Sequence, residues 1–258
     1  MRRSPVSPAS TVPGRVYLVG AGPGDAELLT LKAARLLREA DVVLHDRLVG
    51  AGVLAFCRPG AERIFVGKRG AEHHMRQAEI QALMIERAGA GRMVVRLKGG
   101  DPLIFGRSGE EIESLILAGI PVEVVPGVTA AAGCAAQGLI PLTHPDHAQT
   151  LVFATAHGVS DQEGDGEPVL DWQALCRPRQ TLAFYMGHAA LGRLAEGLIA
   201  HGLSPGLAAC LIQNGTLPNA RRITGTLATL PALVEAATLP DGPALLLVGE
   251  VVGRALGR

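Results

Sequence analysis

Aromatic side chains are scarce in this chain of 258 residues, which has one Trp, two Tyr and five Phe. Apolar residues still make up 48% of it, so a folded core has to be built from Leu, Val, Ile and Ala. Lysine is scarcer still, since Lys32, Lys68 and Lys98 are the only lysines among 24 basic residues. A desolvated ammonium can lose its proton near neutrality and a guanidinium cannot, which draws attention to Lys68 and Lys98.

Cysteine is rare too, and its spacing excludes two classes of site. Cys57, Cys134, Cys176 and Cys210 form no CxxC pair, which argues against zinc or redox motifs and suits a reducing cytoplasm. The formal net charge is zero, so nothing global directs the chain to nucleic acid or to an acidic membrane. No run approaches the ~18 apolar residues of a membrane span. Residues 1–13 are predicted to be a disordered tail rather than a signal peptide.

Metal-binding patterns are weak. The loop with Asp161, Glu163 and Asp165 is similar to the start of a calcium loop, but Trp172 stands at position twelve, where that loop requires Glu. We expect a solvated loop there. His73-His74 alone is a poor basis for a metal pair, so we predict no metal site.

Short β-rich runs alternate with helical stretches throughout, which predicts α/β sheets covered on both faces. The first series has predicted strands at 15–19, 41–44, 62–66, 93–97 and 122–125, and helices at 26–40, 76–88 and 109–118. The second has strands at 151–154, 182–185, 208–212 and 244–248, and helices at 189–200 and 227–236. The turn at Pro126-Gly127 separates the two series. We therefore predict two α/β domains, 14–125 and 126–256, with the active site in the cleft between them.

The first predicted helix carries the clearest apolar stripe. Its buried face is predicted to consist of Leu28, Leu29, Leu31, Leu36 and Leu37.

A glycine-rich turn, GAGPGD at residues 20–25, follows the first predicted strand. A dinucleotide-binding fingerprint has GxGxxG at this place, but Asp25 occupies the third glycine position and Pro23 stiffens the turn. Asp46 lies about 20 residues further on, where such a fold places its ribose-binding acid. From this turn alone, a Rossmann dehydrogenase stays open as an alternative.

Two further small-residue motifs follow predicted strands. Gly99-Gly100-Asp101 offers open backbone groups with a carboxylate beside them, which suits the hydroxyl or amino groups of a nucleoside, although Gly-Asp-Pro is also a common turn. In the run VPGVTAAAG at 125–133, backbone groups and the Thr129 hydroxyl can contact a ligand, and close helix packing explains the small residues equally well.

Ten motifs taken in order resemble the tetrapyrrole-methylase family: GAGPGD, DRLV, VGKR, VVRLKGGDP, IFGR, VPGVTAA, IPLTH, FYMG, NGT and GPALLLVG. The resemblance covers residues 16–252 and displaces the dehydrogenase interpretation. It implies two α/β domains, a homodimer and S-adenosylmethionine as methyl donor. It further implies C-methylation of uroporphyrinogen III at two ring carbons to give precorrin-2, with release of S-adenosylhomocysteine, for siroheme and cobalamin synthesis.

The resemblance also implies roles for individual residues. The cofactor contacts carried over are Pro23, Gly99, Gly100, Asp101, Ile104, Thr129, Ala130, Met186 and Gly215. The proton acceptor carried over is Asp46 and the proton donor is Lys68. We expect Arg47 to keep Asp46 ionised. Arg107 with Glu110 corresponds to a contact with the substrate, which carries eight carboxylates, and the weaker candidates for that task are Arg47, Arg69, His73 and His74.

One departure bears on the substrate. The family usually has arginine after IPLTH, where this chain has Pro145, so one carboxylate contact can be missing. Two alternatives therefore stay open. One is a methylase of a later corrin-ring step, and the other is a regulatory protein that binds the cofactor without catalysis.

Overall fold

A computed structural model describes residues 14–67, 75–156 and 170–254. The chain folds into two compact units, with the division between Gly127 and Val128. Several sequence predictions fall outside the described residues: the tail at 1–13, Lys68, Arg69, the His73-His74 pair and the acidic loop.

The first unit contains a five-stranded sheet in the order β3-β2-β4-β1-β5, and every neighbouring pair is parallel. Its strands are β1 Val16–Gly20, β2 Val42–His45, β3 Glu62–Phe65, β4 Val94–Lys98 and β5 Val122–Val125. Its helices are α1 Leu31–Glu39, α2 Ala51–Leu54, α3 Gln77–Gly89 and α4 Ser108–Leu117. The predicted α/β alternation is confirmed here.

Both faces of this sheet are buried, as a parallel sheet requires. Leu36 and Leu37 of α1 pack against Val43 and Val95 on one face. On the opposite face, Leu115 of α4 packs in a second cluster with neighbouring strand residues. The two faces arise because alternate residues of each strand point to opposite sides.

The predicted helix at 26–40 is wrong in its first third. Thr30 ends the extended segment and accepts a hydrogen bond from the Ala33 amide at 3.1 Å, so α1 begins at Leu31. A short 3-10 turn, Ala26–Leu28, precedes it and is capped by Asp25, which accepts from the Glu27 amide at 2.9 Å. The apolar stripe changes accordingly, and Leu31 is 92% exposed instead of buried.

Strand order places a switch point between β1 and β4. From β1 the chain crosses to β2 on one side, whereas from β4 it crosses to β5 on the other. Right-handed crossovers then put α1 and α4 on opposite faces and leave a crevice at the carboxyl ends of β1 and β4. The two glycine-rich turns of the first unit follow these two strand ends.

The second unit has a mixed five-stranded sheet in the order β6-β7-β10-β8-β9. Its strands are β6 Thr150–Thr155, β7 Gln180–Tyr185, β8 Ala208–Gln213, β9 Arg221–Thr226 and β10 Ala244–Val248. Its helices are α5 Ala130–Gln137, α6 Trp172–Leu175, α7 Leu191–Ala200 and α8 Leu230–Ala236. Strands β6 and β7 are parallel and the other pairs are antiparallel. The edge strand β9 is absent from the sequence prediction because its residues are mostly polar.

Candidate active site

The turns after β1 and β4 are joined backbone to backbone. The Gly100 amide donates to the Gly22 carbonyl at 2.7 Å, and the Gly22 amide donates back at 3.2 Å. Gly100 has φ +67 and Gly22 has φ +74, in the left-handed region that favours glycine. These contacts bring the turn containing Pro23 together with Gly99, Gly100 and Asp101, as the crevice between the two strands requires.

Asp101 fastens this turn to the next strand end. One carboxylate oxygen accepts from the Leu103 amide at 2.8 Å and the other accepts from the Gly127 amide, beyond β5, at 3.0 Å. The Ile104 amide donates to the Asp101 carbonyl at 3.3 Å. A carboxylate has about four acceptor positions, so Asp101 keeps acceptor capacity beyond these two bonds.

Asp46 lies directly after β2, next in register to the end of β4. One carboxylate oxygen accepts from the Leu48 amide at 2.9 Å. The other lies 3.9 Å from Nη1 of Arg96. Among the described ion pairs, the cation facing Asp46 is thus Arg96, and none of these pairs joins Asp46 to Arg47, the partner expected from the sequence.

A buried charge cluster extends from Asp46 beneath the sheet. Arg96 and Lys98 of β4 point to the same face, and both pair with Glu111 of α4, at 3.2 Å and 2.6 Å. Burial lowers the pKa of Lys98, and the Glu111 carboxylate opposes that shift. The sequence drew attention to Lys98 through the scarcity of lysine, but Arg96 and Glu111 were missed. Two signals could have found them. Arg96 and Lys98 alternate along β4, and Glu111 lies in the first turn of the following helix.

Arg107 and Glu110 form a two-point ion pair on the surface, with Nε and Nη2 of the arginine 2.7 and 2.8 Å from the carboxylate oxygens. The Arg107 guanidinium lowers the pKa of Glu110. Arg107 has φ +54, an uncommon conformation for a residue with a side chain. The predicted pair is therefore brought together, at the exposed start of α4.

In the second unit the predicted residues gather around the start of α5. Thr129 caps this helix, Ala130 is its first residue, and the Thr129 hydroxyl lies 2.5 Å from the Tyr185 hydroxyl. Met186 follows Tyr185, has φ +56 and is 51% exposed.

Gly215 lies against the same helix. A side chain at Gly215 would collide with the Cys134 sulfur of α5. Its neighbours Asn214 and Thr216 both have left-handed backbone, with φ +51 and +69. Within this unit, Thr129 and Ala130 thus begin α5, Met186 follows the strand residue whose hydroxyl contacts Thr129, and Gly215 lies against Cys134 of the same helix.

A sequence model of the tetrapyrrole (corrin/porphyrin) methylases matches residues 15–231. The chain belongs to this family. Among solved structures, the tetrapyrrole methylase most useful for comparison is the uroporphyrin-III C-methyl transferase of Thermus thermophilus complexed with S-adenosyl homocysteine. It is 44% identical, with a TM-score of 0.78 over 93% of this chain and 100% of that chain. A cobalt precorrin-4 methyltransferase is 30% identical, with a TM-score of 0.80 over 92% of this chain and 95% of that one.

The chain is also similar to longer proteins. The siroheme synthase of Ectopseudomonas mendocina is 55% identical over 93% of this chain, and that of Pseudomonas fluorescens is 54% identical over 95%. The alignments cover 50% and 51% of those two proteins. The chain spans about half the length of the curated relatives it matches.

Two kinds of feature are absent from the described residues. Residues 14–67, 75–156 and 170–254 contain no group of three or more His, Cys, Asp or Glu side chains arranged to hold a metal ion. Within the same ranges, no helix combines the length and the apolar character that crossing a membrane requires.

Proposed function

We propose that this chain methylates uroporphyrinogen III at C2 and C7 with S-adenosylmethionine, giving precorrin-2 and S-adenosylhomocysteine. The observation that carries the proposal is the similarity to the Thermus thermophilus enzyme, a uroporphyrin-III C-methyl transferase, over the whole of that chain. Similarity to siroheme synthases supports the same substrate and a place in siroheme synthesis, with cobalamin synthesis as the other use of the product.

The residues present fit the cofactor. The crevice at the ends of β1 and β4 is formed by glycines, and Gly99 and Gly100 are only partly buried, so their backbone is accessible to a ligand. Asp101 keeps acceptor capacity for hydroxyl or amino groups. We propose Pro23, Gly99, Gly100, Asp101, Ile104, Thr129, Ala130, Met186 and Gly215 as its contacts. When bound, S-adenosylmethionine supplies an electrophilic methyl group on a sulfonium.

The proposed roles of this chain's own residues follow from the chemistry of carbon methylation. The reacting pyrrole has to lose a proton for the product to form, and we propose Asp46 as the acceptor. The Asp46 carboxylate is oriented by the Leu48 amide and is one-quarter exposed, so a substrate can reach it. Lys68 is the proposed proton donor.

Anion recognition is the proposed role of Arg107 and Glu110. The guanidinium is about half exposed and carries a fork of donors suited to a carboxylate. Glu110 fixes the direction of this fork by binding two of its nitrogens. A substrate carboxylate would share the Arg107 guanidinium with Glu110. We therefore expect this contact to orient the substrate more than to add binding affinity.

Anaerobic incubation with uroporphyrinogen III and S-adenosylmethionine, followed by mass spectrometry, tests the reaction. Two methyl groups should be added. A product with one methyl or none at long times would exclude the proposal. Binding of labelled cofactor with no turnover would instead support a regulatory protein.

The substitution Asp46→Asn tests the catalytic role. It should bind S-adenosylhomocysteine nearly as well as the wild type, because the proposed cofactor contacts lie elsewhere. Turnover should fall by roughly 10²-fold or more, as for loss of a general base. Affinity and turnover are measured on the same folded sample. Loss of affinity with preserved turnover of the bound complex would make Asp46 a cofactor ligand.

A later corrin-ring methylation is the second candidate, favoured by the TM-score of 0.80 to a cobalt precorrin-4 methyltransferase. The identity of 30% to that protein, against 44% to the C-methyl transferase, places it second. Supplying a precorrin-4 analogue in the same mass-spectrometric assay distinguishes them, because each candidate predicts methylation of one substrate only.

We also propose a homodimer located in the cytoplasm. Most soluble oligomers are two-fold dimers. Light scattering should give about twice 26.8 kDa. A stable monomer at micromolar concentration contradicts this assembly.

A further inference from the structure

The most unusual feature of the first unit is full burial of charge. Glu111 is 0% exposed, and the two cations that pair with it, Arg96 and Lys98, are each 5% exposed. Isolated charges are very costly to bury, so such groups persist only when paired and hydrogen-bonded. The arrangement is better explained by a task than by stability, because apolar residues of equal volume commonly serve a core as well or better.

Asp46 forms the accessible end of this cluster. Strands β2 and β4 pair His45 with Leu97, so the next position along each strand sets Asp46 beside Lys98. The exposed fraction of the side chain is 25% at Asp46 and falls to 6% at Arg96 and 0% at Glu111. With Lys98 the four charges sum to zero, two carboxylates against two cations.

Arg96 is held back from Asp46. Its Nε donates to Glu111 at 3.2 Å and its Nη1 donates to the Leu97 carbonyl at 3.1 Å. The remaining separation of 3.9 Å to Asp46 Oδ2 is too long for a hydrogen bond, yet it preserves electrostatic attraction. An unrestrained arginine would close on the carboxylate with two parallel bonds and occupy the oxygen that a base needs.

We propose that Arg96 and Glu111 are positioning residues for Asp46: Glu111 restrains Arg96, and Arg96 orients the Asp46 carboxylate while leaving Oδ2 open to accept a proton. This inference rests on the proposed function, in which Asp46 is the proton acceptor. Lys98 also neutralises the Glu111 carboxylate, since its ammonium lies 2.6 Å from the Glu111 oxygen that Arg96 does not bind. Gln77 adds a hydrogen bond to Glu111 at 3.2 Å.

A double-mutant cycle tests the proposal. Arg96→Gln should lower kcat roughly tenfold, within the range of coupled neighbours, and leave the affinity for S-adenosylhomocysteine unchanged. In an Asp46→Asn background the same substitution should have no further effect on kcat, because the group that Arg96 orients is gone. Arg96→Lys, which keeps the cation but loses the fork, should recover part of the loss. Arg35→Gln, at an exposed pair with Glu39, is the matched control and should leave kcat unchanged.

The outcomes separate this proposal from the function on which it rests. If Arg96→Gln lowers kcat equally in both backgrounds, Arg96 does not act through Asp46 and the proposal is overturned. If Asp46→Asn alone keeps full turnover, the assignment of the proton acceptor fails first. Should Arg96→Gln not fold, Glu111→Gln gives the same cycle, since it weakens the restraint on Arg96 while keeping the side-chain shape. Equal losses with and without Asp46 would again overturn the proposal.

Discussion

The two units bury different kinds of polar side chain. Beneath the parallel sheet, the first unit encloses Arg96, Lys98 and Glu111, whereas the buried polar residues of the second unit include Gln213 and Asn214, which are neutral amides. The amides bind loop carbonyls: Asn214 donates to the Asp241 carbonyl at 3.0 Å, and Gln213 donates to that of Pro240. Buried charge thus accompanies the strand ends where proton transfer is proposed, and the buried amides hold the loop that precedes β10.

Removing the Glu111 carboxylate, which Arg96 and Lys98 share, should have the largest effect on stability among the changes that test this contrast. Glu111→Ala should lower the free energy of unfolding by about 3–5 kcal/mol, because it leaves two buried cations unpaired. Gln213→Ala in the second unit removes a neutral amide and should cost about 1–2 kcal/mol. Urea unfolding of both variants measures the difference. Equal losses would show that charge does not distinguish the two interiors.

Gly100→Val tests the glycine crevice of the first unit. The side chain would enter the place where backbone is proposed to meet the nucleoside, so cofactor affinity should fall at least tenfold, or about 1.4 kcal/mol. Gly60→Val is a matched control, since Gly60 also has a positive φ, +87, and open space around it. Calorimetry that finds equal affinities in the two folded variants would contradict the placement.

Tyr185→Phe tests the corresponding anchor in the second unit. It removes the hydroxyl that lies 2.5 Å from Thr129 and accepts from the Ala131 amide at 3.3 Å. We expect a loss of about 1 kcal/mol in unfolding free energy, since these two hydrogen bonds join neutral groups. Thermal unfolding checks this. A loss as large as that of Glu111→Ala would remove the energetic contrast between the units.

The smallest effect concerns His45, at the end of β2. Burial lowers the pKa of His45 from its ordinary value of 6.5. The unfolded chain therefore binds this proton at higher pH than the folded one, and the stability contribution is present above pH 6.5 and is lost as pH falls through the folded pKa. Relative to His45→Gln, the wild type should lose stability as the pH falls below 6.5 and through the lowered pKa of the folded state. A pH-independent difference would contradict this.

Strands with continuous apolar character were predictable from the sequence, because a strand of a parallel sheet is buried on both faces and is therefore apolar throughout, as in Val16–Gly20. The starts of helices were less predictable. The leucines before and after Thr30 have the spacing of one apolar helix face, so its role as the N-cap of α1 was overlooked. The polar edge strand β9 gave no pattern. Met186, a proposed cofactor contact of the second unit, was reached only through family resemblance, since an exposed methionine carries no chemical signal of its own.

The cluster around Asp46 shows a different limit. Sequence reasoning paired Asp46 with its neighbour Arg47, but Arg47 lies in the turn that follows β2 and is exposed. The true partner, Arg96, comes from the adjacent strand β4, and strand order is not readable from local spacing. Long-range pairing of this kind required the sheet topology.

The meeting of Gly20, Gly100 and Gly127 has a consequence for how this enzyme family can vary. A Cβ at Gly20 would lie 2.6 Å from the Gly127 amide nitrogen and 2.7 Å from the Gly100 carbonyl oxygen, and one at Gly127 would meet the same carbonyl. The obstacles are main-chain atoms, which cannot turn aside as a flexible side chain can. Even alanine is therefore excluded at Gly20 and Gly127 unless the strand ends move apart. In a saturation library, Gly20 and Gly127 should tolerate no replacement. Amino-acid variation near these turns should therefore be confined to the surrounding residues that carry side chains.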